Sequence, residues 1–188
     1  HLINELPFPL ENEILKIGID FNVMNCNAVV CVTAGNKLIV VDEIVKQQDT
    51  DAMAREIRRR YGNNKIFVYP DASGAARSTI NASKTDIAIL ESYGFTSMAL
   101  RSNPPIKDRV QTLQAVLENS KGQIRMAIYA KATRLIECLE LQSYDEKTGD
   151  PDKQNGYDHL NDALGYLCYR EFNMIYSRAG QKTGIRIY

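Results

Sequence analysis

Three β-branched runs stand close together near the amino end, and they constrain the fold more than any other feature of the chain. Residues 17–21, 28–33 and 37–44 are each of strand length and rich in Ile and Val. The break Ala34-Gly35-Asn36 is a hairpin signal, because Gly and Asn tolerate positive φ. Three consecutive antiparallel strands are therefore predicted. The segment DTDAMAREIRRRYG reads as a helix with Met53, Ile57 and Tyr61 on one face, an acidic start and Gly62 as its stop. Residues 65–69 (KIFVY) form a buried type of strand closed by Pro70, followed by the polar DASGAARS.

Beyond that point helices and strands alternate. Helices are predicted over 84–93, 106–119, 133–142 and 157–176, and strands over 95–100 and 125–129. The polar stretch 144–156 carries a turn signal at Lys147-Thr148-Gly149, and a polar tail follows Ser177. The order implies one mixed α/β sheet, three antiparallel strands and then parallel ones, with helices on both faces. At 188 residues the chain has the size of a single domain.

Composition narrows the function. Lys plus Arg (23) equals Asp plus Glu (23), which excludes a protein that grips nucleic acid by bulk positive charge; any such contact must come from a local patch. No apolar run approaches the ~20 residues of a membrane span, and the opening HLINELPFPLENE is too broken by Pro and acids for a signal peptide. Cys26, Cys31, Cys138 and Cys168 show no CxxC spacing and no paired His, so they are expected as reduced core thiols and not as a zinc site.

The acids carry the chemistry. Asp20 ends the first predicted strand (GIDF) and Asp71 ends the fourth (VYPDASG). If those strands are neighbours, both carboxylates project at one sheet edge, where α/β sheets place ligands. Turn or cap residues are the plainer reading of each alone. The last helix opens GYDHLNDALGY, whose spacing puts Asp158, His159 and Asp162 on one face. Asp158 in the first turn complements the helix dipole. Asp162 sits deeper, among Leu160, Ala163, Leu164, Tyr166 and Leu167, where an acid is costly without a partner. Acids converging from separate segments suit hard cations such as Mg²⁺ or Mn²⁺, and two such ions support phosphodiester hydrolysis.

GIDFN, VVDEI, YPDASG and DHLNDALGY, taken together, resemble the nuclease domain of the large terminase subunit, the DNA-packaging motor of tailed bacteriophages. The resemblance runs from about Lys16 to Tyr169, and PDASG and HLNDALGY are its most specific parts. It implies an RNase H-like fold over 16–176 and a Mg²⁺- or Mn²⁺-dependent endonuclease, expected to use two ions, that cuts concatemeric double-stranded viral DNA during headful packaging. By motif, Asp20, Asp71 and Asp162 match the metal ligands and His159 the histidine beside them. Asp158 and Glu43, the latter at the end of the third strand, are further candidate ligands. Residues 1–15 are expected as a linker from an amino-terminal ATPase domain and 177–188 as a carboxy-terminal tail. The chain has no GxxxxGK[ST] loop, so translocation and ATP hydrolysis are expected to belong to the parent protein. The implied partners are DNA, that ATPase domain, the small terminase subunit and the portal, in the host cytoplasm at the procapsid.

For DNA, Arg77 after Asp71, and Lys107 and Arg109 at a helix start, are the candidate phosphate contacts. Arg58-Arg59-Arg60 reads as a solvated helix end. A Holliday-junction resolvase or integrase-like nuclease shares the acid pattern, although a resolvase would be more basic. A sugar kinase or actin-like ATPase would need a second lobe and a Gly-rich second phosphate loop that DASGAA does not supply. An inactive scaffold of the same fold is distinguished only by assay.

Overall fold

Leu15–Asp20 (β2) is buried along almost its whole length, as a strand flanked on both sides and covered on both faces must be. It pairs antiparallel with Cys26–Ala34 (β3), which pairs antiparallel with Lys37–Gln47 (β4). On its other edge β2 pairs in parallel with Ile66–Pro70 (β5), which pairs in parallel with Thr96–Ser97 (β6). Met126–Tyr129 (β7) lies parallel to β4, and Leu2–Ile3 (β1) lies parallel to β7. These assignments come from a computed structural model that describes residues 1–22, 24–75 and 85–173. Among those residues the sheet has seven strands in the order β1-β7-β4-β3-β2-β5-β6. The predicted mixed sheet, with its antiparallel triplet and neighbouring first and fourth predicted strands, is the observed one.

Helices cover both faces. Thr50–Arg60 (α1) begins at Asp49, whose side chain accepts the Ala52 N–H at 2.7 Å, and buries Met53, Ala54 and Ile57 against β3 and β4. The buried Thr50 hydroxyl donates to Asp86 at 2.6 Å and so ties α1 to Asp86–Ser92 (α2). On the opposite face Ile106–Leu117 (α3), Thr133–Leu141 (α4) and Asp158–Cys168 (α5) surround a second core of Leu113, Val116, Leu135, Leu160, Leu164 and Leu167. The predicted closing helix becomes a π-helical turn at Tyr169–Asn173; its last residues, and the tail after them, lie outside the described residues. All four cysteines are free and buried, as expected. No helix among the described residues is long and apolar enough to cross a membrane.

Three details differ from the sequence reading. The strand predicted over 95–100 is only two residues long, because the chain turns away at Met98, whose N–H still donates to Val68. Leu2–Ile3 forms a strand too short to leave a periodic signal, held through the His1 and Ile3 carbonyls, which accept from Ile128 and Ala130. The arginine run is not simply solvated. Arg58 donates to the Tyr93 carbonyl at 2.9 Å and stacks on Phe95, while Arg60 pairs with Asp42 at 2.7 Å.

One residue sets the distance between α5 and the sheet. A Cβ on Gly18 of β2 would lie 2.0 Å from the Ala163 carbonyl oxygen, so the bare backbone of Gly18 lets α5 rest directly on the central strand. That contact fixes which residues of α5 meet the ends of β2 and β5.

Candidate active site

Because β2 and β5 run parallel, Asp20 and Asp71 leave the sheet at the same end. The Asp71 N–H donates to the Ile19 carbonyl at 3.1 Å, which places the two acids side by side on the backbone. With Ala163 seated over Gly18, Asp162 is brought to the same rim, as are Asp158 and His159 one turn earlier. His159 Nδ1 lies 3.1 Å from Asp20 Oδ2 and 3.9 Å from Asp158 Oδ1. Tyr166, one turn after Asp162, is buried, and that burial raises its pKa against the lowering effect of Arg109. Asp20, Asp71 and Asp162 are thus carried toward this rim by the ends of β2 and β5 and by α5.

Each of these three acids holds one oxygen in a nitrogen donor's grip. Asp20 Oδ2 accepts from Asn22 Nδ2 at 2.5 Å, and Asn22 Nδ2 also lies 3.0 Å from His159 Nδ1. Asp71 Oδ1 accepts from the Ser73 N–H at 2.7 Å and from Asn103 Nδ2 at 2.6 Å. Asp162 Oδ1 accepts from Arg109 Nη2 at 2.6 Å. The partner oxygen of each makes no hydrogen bond among the described residues; the nearest cation to Asp162 Oδ2 is Lys153 Nζ, 3.9 Å away on an exposed side chain. The Asn22, Asn103 and Lys153 contacts left no sequence signal, because each comes from a loop whose course only the fold determines.

The electrostatics follow from burial. Asp162 is pushed up to about 6, first by desolvation and then by Asp20 and Asp158, with Arg109 opposing. His159 is held above its ordinary value, chiefly by its hydrogen bond to Asp20 and against the effect of burial. Asp158 Oδ1 is buried without a hydrogen-bond partner.

Among the described residues no three acids, histidines or cysteines stand close enough together to hold a metal ion as they are placed. What the rim provides is carboxylates anchored on one side and open on the other, beside an orphaned buried oxygen. This donor chemistry fits a hard divalent cation.

Two expected site residues take roles other than the expected ones. Glu43 neither joins the rim nor hangs exposed: its two oxygens accept the Arg134 and Leu135 N–H groups at 2.9 and 2.6 Å and so cap the N-terminus of α4. Arg109 is not a free phosphate contact, since its side chain is 5% exposed and its guanidinium is committed to Asp162. Lys107 remains exposed on the first turn of α3. Arg77 lies outside the described residues.

The strand order, the acids at the ends of adjacent parallel strands and the helix laid across them define a fold of the RNase H-like class. A family model of the terminase RNase H-like domain matches residues 17–171, and the chain belongs to that family. Solved structures agree. The large terminase of a thermophilic bacteriophage superposes with a TM-score of 0.68 at 17% identity, over 90% of this chain and 42% of that one. The nuclease domain of the P22 large terminase gives 0.64 at 15% identity, covering 88% of this chain and 84% of that chain. The nuclease domain of the bacteriophage SPP1 large terminase, solved with bound Mn, gives 0.60 at 17% identity, covering 90% and 95%. This chain therefore spans less than half the length of the thermophilic phage's protein. No curated protein sequence matches it.

Proposed function

We propose that this chain is the nuclease domain of a large terminase subunit: a divalent-metal-dependent endonuclease that cuts concatemeric double-stranded viral DNA during headful packaging, with little sequence specificity. The observation that supports this reading is that Asp20 and Asp71 stand at the same end of adjacent parallel strands with His159 of α5 3.1 Å from Asp20, in a chain of the terminase RNase H-like family. Asp20, Asp71 and Asp162 would hold Mg²⁺ or Mn²⁺, two ions in the reading we favour, with Asp158 in support. When bound, such ions activate water and stabilise the leaving oxygen.

The chain's own residues prepare the rest. Asn22 and Asn103 fix one oxygen of Asp20 and of Asp71. His159, held through Nδ1, keeps Nε2 available to take or give a proton. Lys107 at the start of α3, and Arg77, are the proposed phosphate contacts. Residues 1–15 would connect to an ATPase domain that supplies translocation, and 177–188 would be a tail; the small subunit and the portal would be partners of the whole protein, acting at the procapsid in the host cytoplasm.

Incubation with supercoiled plasmid and Mn²⁺, with and without chelator, tests the reading. Metal-dependent, sequence-independent linearisation is expected, and Asp20→Ala, Asp71→Ala and Asp162→Ala should each reduce it by at least ~10²-fold while the fold is retained. Cleavage of four-way junctions alone, or undiminished cutting by these variants, would overturn it.

A further inference from the structure

Arg109, expected at a phosphate, is instead buried against Asp162. A buried arginine beside a carboxylate contributes little net stability, since desolvation of both charges offsets their attraction. Its surroundings are nonetheless shaped for it. The guanidinium lies 4.4 Å above the Tyr166 ring. Its aliphatic stem crosses α5 at Gly165, where a Cβ would come within 2.9 Å of Arg109 Cγ. Its tip donates to Asp162 Oδ1 at 2.6 Å. Asp162, Gly165 and Tyr166 stand at i, i+3 and i+4, so one stripe of α5 supplies the hydrogen-bond acceptor, the gap for the stem and the flat surface for the guanidinium. The sequence DALGY is thus a berth for one arginine arriving from α3.

We propose that Arg109 is a positioning residue of the metal site, holding Asp162 by Oδ1 so that Oδ2 is kept for the cation. It does for Asp162 what Asn22 does for Asp20 and Asn103 does for Asp71. The inference rests on the nuclease reading above. Arginine is required because lysine has neither the planar face that stacks on Tyr166 nor the rigid fork that fixes a carboxylate rotamer. Outer partners of this kind typically govern about 10- to 100-fold in metal affinity.

Mn²⁺ titration followed by electron paramagnetic resonance, which reads free ion directly and needs no catalysis, tests this. Arg109→Lys should weaken Mn²⁺ binding roughly 10-fold or more. Gly165→Ala, which leaves both charges in place and disturbs only the stem, should weaken it in the same direction. In an Asp162→Asn background, Arg109→Lys should add no further loss, because the two act as one unit. Melting in chelator separates this from general destabilisation: the affinity loss should appear in variants that stay folded at the titration temperature, and Gly165→Ala keeps the test decisive if Arg109→Lys does not fold. Wild-type protein that binds Mn²⁺ while both Arg109→Lys and Gly165→Ala bind equally well would overturn the role of Arg109 alone. Wild-type protein that binds no Mn²⁺, or an Asp162→Asn variant that binds it as tightly as wild type, would overturn the metal-site reading itself and this inference with it.

Discussion

Replacing Gly18 with alanine tests the contact on which the site's geometry depends. The new Cβ would stand 2.0 Å from the Ala163 carbonyl oxygen and 2.8 Å from its carbon, both backbone atoms. Neither can rotate aside, so α5 and β2 must part by about 1 Å to restore ordinary contact in a close-packed interior. Strand β2 is held between β3 and β5, and α5 is pinned by buried Leu160, Leu164 and Leu167, so the movement strains packing on both sides. Overpacking of this kind costs about 1–3 kcal/mol, and a backbone-to-backbone clash belongs at the upper end. For a domain of this size, ~3 kcal/mol lowers Tm by roughly 6–12 °C. The same movement carries Asp162 away from Asp20 and Asp71, and a displacement of about 1 Å is worth roughly 10²-fold in rate. Calorimetry and plasmid cleavage with Mn²⁺, the latter well below the variant's Tm, measure the two effects. Gly62→Ala is the control, because its Cβ would meet only the Arg58 oxygen at 3.4 Å and should cost no more than about 0.5 kcal/mol. A Gly18→Ala protein that melts and cuts like Gly62→Ala would show that α5 does not rest on β2 at this point.

Glu43→Ala should cost about 1–2 kcal/mol through the lost cap of α4 yet retain metal-dependent cutting; full stability with abolished cleavage would return Glu43 to the ligand set. Glu56 is held down at about 2 by hydrogen bonds from Arg59 and Arg60. Its folded pKa therefore lies below its unfolded one, near 4.3, so its contribution is complete above that value and fades as pH falls toward 2. The Tm difference between wild type and Glu56→Gln should shrink over that window, and a constant difference would refute the pairing. The four thiols should resist a thiol reagent in the native protein and all react once it is unfolded, since burial pushes each above its ordinary pKa, Cys138 to about 11. Rapid labelling of native Cys138 would contradict its place on the buried face of α4.

Much of the fold was legible because its strands are long and its turns are marked. The hairpin at Gly35, with φ of +60°, stands where Gly-Asn placed it. Strands that owe their existence to pairing were not legible. Leu2–Ile3 exists because β7 offers an open edge, and no two-residue run could announce that. The tertiary use of Arg58 was hidden for a related reason: its partners, the Tyr93 carbonyl and Phe95, lie more than thirty positions away in sequence.

The site divides along the same line. Residue type and spacing were enough to single out Asp20, Asp71, Asp158, His159 and Asp162, because an acid at a strand end, or on the inner side of an apolar helix, is costly enough to need a reason. Type and spacing cannot say which oxygen of each acid is already engaged. Arg109 shows why. From sequence it is a cation at a helix start, indistinguishable in kind from Lys107 two positions earlier; in the structure Lys107 is exposed while Arg109 is 4% exposed and bound to Asp162. The difference is one of helical phase: two residues rotate a side chain by roughly 200°, from the solvent side of α3 to the side that packs on α5. Gly165 and Tyr166 make that inward position habitable for a charge, and they lie on a different helix. Candidate acids can therefore be singled out in one dimension, whereas the side chains that hydrogen-bond them become visible only when two helices are laid together.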